Sequence, residues 1–488
     1  MKKTLIIMWV IILTGVIFIG SRFYKVEDDS INQLTNVETN EKDKDIVKID
    51  GLDIPKEGDK TYQEYLTNAE SFFKSGDFAK AVLNYEKAVK ANPNSPELIA
   101  ALGESYLKNN QPDKAKKAFS AALKLNSTST VLKLGLARAH LNSREIEEAN
   151  EIIAILDTSN PEVIYYQGII KILYRKFDDA KTLFKKVATM EPKASDTLLK
   201  NTAKFLASYD NFDLYPETDK LYLELMLAKN LTDIQEYKAA IPVLYDIINT
   251  KNNYRDAWIV LGFAYLNSDK PKEAIDALEQ AKELTPAKPE TLFFLGLSYF
   301  ADNQIDKAIH YVELADKNGF EPKEQIELKL GDLYLLKQDY QKSAENYESL
   351  LTKNTDKIDV FTRAIWLNID KLNNPENGLE IAQKAVEIHP DKAMSFNLLG
   401  WAYTAMEDYD NAEKNLQIAL SMDPKLDAVH LNLGWLYEKN GQETLAKEYY
   451  KKAYQIGKNN SIASLAAVRY NKLNDQNSQK SFQVNTFN

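Results

Sequence analysis

Residues 255–288 read RDAWIVLGFAYLNSDKPKEAIDALEQAKELTPAK, and residues 393–426 read AMSFNLLGWAYTAMEDYDNAEKNLQIALSMDPKL. Laid one above the other, they match Trp258 with Phe396, Leu261-Gly262 with Leu399-Gly400 and Tyr265 with Tyr403. The match continues with Ala274 and Ala412, Leu278 and Leu416, Ala281 and Ala419, and Pro286 and Pro424. Apolar residues three, four and seven apart mark two amphipathic helices in each stretch, and the late proline stops the second. A small residue in each helix, Gly at the eighth position and Ala at the twentieth, lets the two backbones approach where they cross.

The same register returns along the chain at a shift of 34 residues. Clear copies open at Tyr62 (Ala81, Tyr85, Ala88, Pro93), Pro96 (Leu102, Gly103, Tyr106, Ala115, Phe119, Ala122), Pro289 (Leu292, Leu295, Gly296, Tyr299, Ala308, Ala315) and Asp427 (Leu433, Gly434, Tyr437, Ala446, Tyr450, Ala453). Weaker copies open near Thr130, Pro161, Leu221, Glu324 and Asp359, giving 11 in all; Ser343, Trp366 and Gly378 depart from the usual residues. No single unit can bury its apolar face, so the units must stack.

These residues resemble the tetratricopeptide repeat family, whose Trp, Leu-Gly, Tyr, Ala, Phe, Ala, Pro pattern recurs over most of residues 62–460. The resemblance implies an all-α solenoid, a right-handed superhelix of stacked helix-turn-helix units, that binds proteins and does no chemistry. It also implies that the second, fifth, ninth and twelfth positions of each first helix line a concave groove. From residue 221 onward the candidates at these positions are Ile259, Phe263, Phe293, Leu297, Phe300, Leu328, Leu335, Leu367, Trp401, Leu431 and Trp435, with Arg363, Asn397 and Asp332 as polar additions. Packing between units competes for each leucine. The tryptophans are the stronger interface candidates, because large aromatics often anchor interfaces. The implied partner is a protein or peptide with an apolar or amphipathic segment.

Outside the repeats, Leu5–Gly20 is uncharged and follows Lys2 and Lys3. It is read as a transmembrane helix within an N-terminal anchor or uncleaved signal at 1–25, since cleavage around Gly20 and Ser21 would place Phe18 or Ile19 at the upstream position that needs a small residue. The expected localisation is a single-pass membrane protein with its repeat body outside the cytoplasm. Residues 26–60 read as a disordered acidic linker, 61–194 as a block of four repeats and 195–220 as an irregular insert or hinge. A second block of seven repeats is expected at 221–460, a capping helix at 461–476 and a disordered tail at 477–488.

A net charge of −10 without a basic stripe argues against nucleic acid as a partner. With no cysteine, disulfides, thiol nucleophiles and thiolate zinc sites are excluded. The four histidines, His140, His310, His389 and His430, fall in separate repeats with no metal-ligand spacing, so no metal or cofactor is expected. The combined expectation is a nonenzymatic, membrane-anchored scaffold or adaptor in envelope assembly, secretion or quality control. The alternatives are a noncatalytic receptor for a glycan or cell-wall fragment and an accessory subunit of a membrane enzyme.

Overall fold

The computed structural model describes residues 62–191, 193–215, 219–352, 357–457 and 461–485. Among them are 24 α-helices and no strand. Contacts divide the chain into two compact units that meet in sequence at Phe320 and Glu321.

The first unit contains seven helix pairs. These are α1 (Tyr62–Ser75) with α2 (Phe78–Ala91), α3 (Pro96–Lys108) with α4 (Pro112–Leu125), α5 (Thr130–Asn142) with α6 (Ile146–Ala154), and α7 (Pro161–Leu173) with α8 (Phe177–Ala188). After a single helix, α9 (Asp196–Leu214), come α10 (Lys220–Asp233) with α11 (Tyr237–Thr250), α12 (Arg255–Leu266) with α13 (Pro271–Leu284), and α14 (Pro289–Ala301) with α15 (Ile305–Lys317). The second unit holds α16 (Lys323–Leu336) with α17 (Tyr340–Leu351), α18 (Ile358–Trp366) with α19 (Pro375–Ile388), and α20 (Ala393–Ala405) with α21 (Tyr409–Met422). It ends with α22 (Asp427–Lys439), α23 (Glu443–Gly457) and a final helix α24 (Ser461–Asn485).

Helix starts follow from local chemistry. Ser95, Ser129 and Asn160 accept bonds from backbone N–H groups at the openings of α3, α5 and α7, and Pro96 and Pro161 occupy a first-turn position that needs no donor. The turn inside every pair is less obvious from sequence. Gly76, Asn110, Arg144, Arg175, Gln235, Asp269, Asn303, Gln338, Asn373, Glu407 and Gly441 each adopt φ between 51° and 83°. Nine of these eleven are not glycine, and Arg144, Arg175, Gln235, Gln338 and Glu407 are not even Asn or Asp, so at these five the tight turn is imposed by the packed helices on residues that resist it. Replacing the exposed Glu407 with glycine is expected to raise stability by about 0.5–1 kcal/mol, the relieved left-handed strain exceeding the entropy of a freer unfolded chain. Chemical denaturation checks this, and a loss would mean that side-chain contacts of Glu407 outweigh the strain.

Two irregular copies are rebuilt rather than broken. Ser343, standing where alanine is usual, is fully buried and donates its hydroxyl to the carbonyl of Gly331 at 2.8 Å, across the helix crossing itself. In the next pair, α18 passes into a π-helical turn at Leu367–Lys371. Here the small residue lies on the second helix. A Cβ on Gly378 would meet Ile369 Cγ1 at 2.7 Å, so Gly378 makes room that Trp366, in the glycine position of α18, does not. Buried Asn368 secures the wider turn, donating to Glu348 Oε1 at 2.7 Å and accepting from Asn377 at 2.9 Å.

Within residues 195–220, α9 runs without interruption from Asp196 to Leu214. It buries Phe205 against Phe184, the rings stacked with centroids 4.6 Å apart. At the other end α24 buries Ala463, Ala466 and Ala467 in the apolar cluster of α22 and α23, and its helical backbone runs to Asn485.

The membrane expectation is corrected. No helix among the described residues is long and apolar enough to cross a membrane. The stretch on which a single-pass anchor rested, residues 1–25, lies outside the described residues, as does the linker at 26–60.

Candidate partner-binding surface

The fifth and ninth positions of a first helix lie one turn apart and share a face. Burial separates them. In the first unit, Ile259 and Phe293 at the fifth position are buried, and Phe293 stacks on Phe320 at 4.2 Å. Phe263 at the ninth is half-buried, Leu297 is buried, and Phe300 at the twelfth is half-buried. In the second unit the fifth-position Arg363, Asn397 and Leu431 are buried and Leu328 is half-buried. At the ninth position Leu367 is fully buried, whereas Trp401 and Trp435 are half-buried. Leu335, at a twelfth position, is buried as well.

The expected polar groove residues are therefore engaged inside the protein. Arg363 pairs with Asp332 and donates to the Tyr347 hydroxyl at 3.0 Å, while that hydroxyl donates to Asp332 Oδ1 at 2.7 Å. Burial, with the Asp332 carboxylate next, holds the Tyr347 pKa well above its ordinary value, so the hydroxyl remains a donor. Asn397 is similarly committed, accepting a bond from Asn432 Nδ2 at 3.0 Å that ties α20 to α22. The sequence hides both arrangements, because a residue type at a nominal groove position carries no sign of what its neighbour contributes.

Trp401 and Trp435 remain as part-exposed aromatics at equivalent positions of successive first helices, α20 and α22. Trp401 rests on the apolar cluster below α20. The Trp435 ring has the Arg469 guanidinium of α24 and the Lys439 ammonium each 6.0 Å from its centroid. Two cations at the limit of cation–π range leave it an amphipathic platform, apolar in area with positive charge at its border.

The histidines differ in their surroundings. His389 and His430 are buried, the latter with Nε2 at 3.0 Å from the Pro424 carbonyl. His140 Nδ1 lies 2.6 Å from Glu145. Among the described residues no group of three or more His, Cys, Asp or Glu side chains is placed to hold a metal ion.

Family models described as tetratricopeptide repeat match residues 72–124, 111–173, 256–288 and 397–461. The chain carries tetratricopeptide repeats. The TPR repeat-containing protein YpiA of Bacillus subtilis is 23% identical over 265 residues, covering 53% of this chain and 53% of that protein. The BBSome complex member BBS4 of Bos taurus is 24% identical over 326 residues, 63% of this chain and 61% of that one. Protein bimA of Emericella nidulans is 21% identical over 292 residues, 57% of this chain and 35% of its own length. The chain thus spans between about a third and three fifths of these relatives. Among solved structures, Naa15/Naa10 bound to HypK-THB aligns at a TM-score of 0.37 with 14% identity, covering 85% of this chain and 91% of that one. Yeast Tom70 aligns at 0.31 with 14% identity, covering 86% and 88%. Superpositions this loose carry no argument about function. The repeats themselves make the chain a scaffold of the kind suited to protein–protein interaction.

Proposed function

We propose that this tetratricopeptide repeat chain is a noncatalytic adaptor that holds an apolar or amphipathic segment of a protein partner on its first-helix faces, with Trp401 and Trp435 as the anchors. The carrying observation is that these two rings keep part of their surface exposed while neighbouring groove candidates are buried. Phe263, Phe300 and Leu328 are the other part-exposed apolar candidates. Large aromatics in such a position lose little rotamer freedom on binding and cover much area, which is why they dominate interface energies.

The test is crosslinking capture from intact cells, comparing the wild-type chain with a Trp401→Ala, Trp435→Ala double variant of unchanged helicity. If each ring contributes as an interface anchor, recovery of the specific partner is expected to fall at least about tenfold. Equal recovery by both chains would make the rings structural and sink the proposal. Binding of a soluble glycan in preference to an apolar peptide would sink the partner class.

A further inference from the structure

A repeat array needs contacts only between neighbouring units. The first unit has more. The turns of its early repeats touch those of its later repeats: Lys108 Nζ donates to Gln235 Oε1 at 3.0 Å, and Asn110 Nδ2 donates to Asp269 Oδ2 at 2.6 Å, across 127 and 159 residues of sequence. Between these lies Glu236. Its side chain does not cap its own helix α11 but accepts from Asn142 Nδ2 at 3.2 Å and from the Tyr166 hydroxyl at 3.4 Å. Helix α11 packs against α5 and α7 as a result.

The receiving groups are Lys108 and Asn142, the last residues of α3 and α5, and Tyr166 of α7, next to the inner positions of these first helices. Glu104 and Arg138 occupy the same ninth position in α3 and α5 and pair at 2.7 Å, and the Arg138 guanidinium sits 5.7 Å from the Tyr166 ring centroid. Glu236 is only 7% exposed among them. Burial pushes its carboxyl pKa up, against the pull of Arg138 and Lys108. A second set of ion pairs reaches past α9. Arg175, in the turn between α7 and α8, bonds Glu224 of α10 at 2.6 Å and lies 3.4 Å from Asp246 of α11.

We propose that these contacts form a latch that closes the first unit on itself, so that the inner face of α3, α5 and α7 is occupied by the chain's own α10–α11 turn. An outside segment gains that face only when the latch opens. The groups are polar and charged, unlike the apolar packing between neighbouring repeats, and Glu224, Gln235, Glu236 and Asp246 all belong to the packed pair α10 and α11 or its turn. The insert or hinge expected at 195–220 is then spanned by ion pairs that join residues before α9 to residues after it. This goes beyond the adaptor proposal, which concerns Trp401 and Trp435 of the second unit, and it stands or falls without any partner.

Because the chain has no cysteine, a spin-label pair can be introduced cleanly by Lys117→Cys on α4 and Lys272→Cys on α13, both exposed positions. In the full chain a narrow distance distribution between the labels is expected. Glu236→Lys sets a cation against Arg138 and Lys108, and should lengthen and broaden that distribution and speed amide exchange in α5 and α7 while helicity is kept. An unchanged distribution and unchanged exchange would overturn the latch. Should Glu236→Lys fail to fold, Glu236→Gln combined with Asn110→Ala and Asp269→Ala decides between the same two results.

Discussion

Arg363→Ala is expected to destabilise the second unit by about 3 kcal/mol, the lower end of the loss that follows when one partner of a buried ion pair is removed. Arg363 is 4% exposed, and its guanidinium is shared between Asp332 and the Tyr347 hydroxyl. Truncation leaves the buried Tyr347 hydroxyl and, 3.7 Å away on its other oxygen, Lys329 as the partners of the Asp332 carboxylate. The Asp332 side chain retains 23% exposure, which softens the penalty. Replacing Arg363 and Asp332 together with apolar residues of similar volume should recover most of the loss. Urea denaturation of the single and double variants provides the measurement. A single-variant loss under about 1 kcal/mol would mean that Arg363 is effectively solvated, and it would return to the list of groove contacts.

Gly400→Val should cost as much or more, about 3 kcal/mol, and its origin is purely steric. A Cβ at Gly400 would stand 2.5 Å from Leu416 Cγ and 3.0 Å from the carbonyl oxygen of Ala412. The leucine can rotate away only into a filled core, and the carbonyl belongs to α21 and cannot move alone. Gly400→Ala is expected to fall partway, since it adds the clashing carbon without the valine branches. Thermal unfolding followed by circular dichroism distinguishes the two. A valine variant as stable as wild type would show that α20 and α21 part readily at their crossing.

The steric tightness at Gly400 is legible in the sequence, because Gly at the eighth position and Ala at the twentieth return together along the chain. Such positions face only the partner helix of the same unit, so their demands repeat with the unit and leave a periodic trace. The left-handed turn leaves a much weaker one. It recurs in all eleven pairs, yet glutamate, arginine, glutamine, asparagine and aspartate fill it as well as glycine. Backbone strain of about 1–2 kcal/mol is small beside the packing of two helices, so selection for glycine there is slack.

Groove membership was the least legible. Arg363, Asn397 and Leu431 hold the same nominal position as Leu328, and only Leu328 is half-buried. Whether such a residue meets solvent depends on the side chain that the next repeat offers, and that pairing varies from repeat to repeat. The latch is harder still, because it joins residues from 49 to 159 positions apart whose types are ordinary surface types.

By itself the sequence determined the all-helical class, the length and register of the repeats, the helix crossings and the residues that start and stop the helices. All of these rest on contacts within a unit or with its immediate neighbour, and a 34-residue period records them directly. Tertiary structure alone decided which aromatics stay partly exposed, that Arg363 and Asn397 turn inward, how the π turn accommodates Trp366 beside Gly378, and that the first unit meets itself through Glu236. Those outcomes depend on how small rotations between units accumulate and on which particular side chains they bring together, and neither is written in any one repeat.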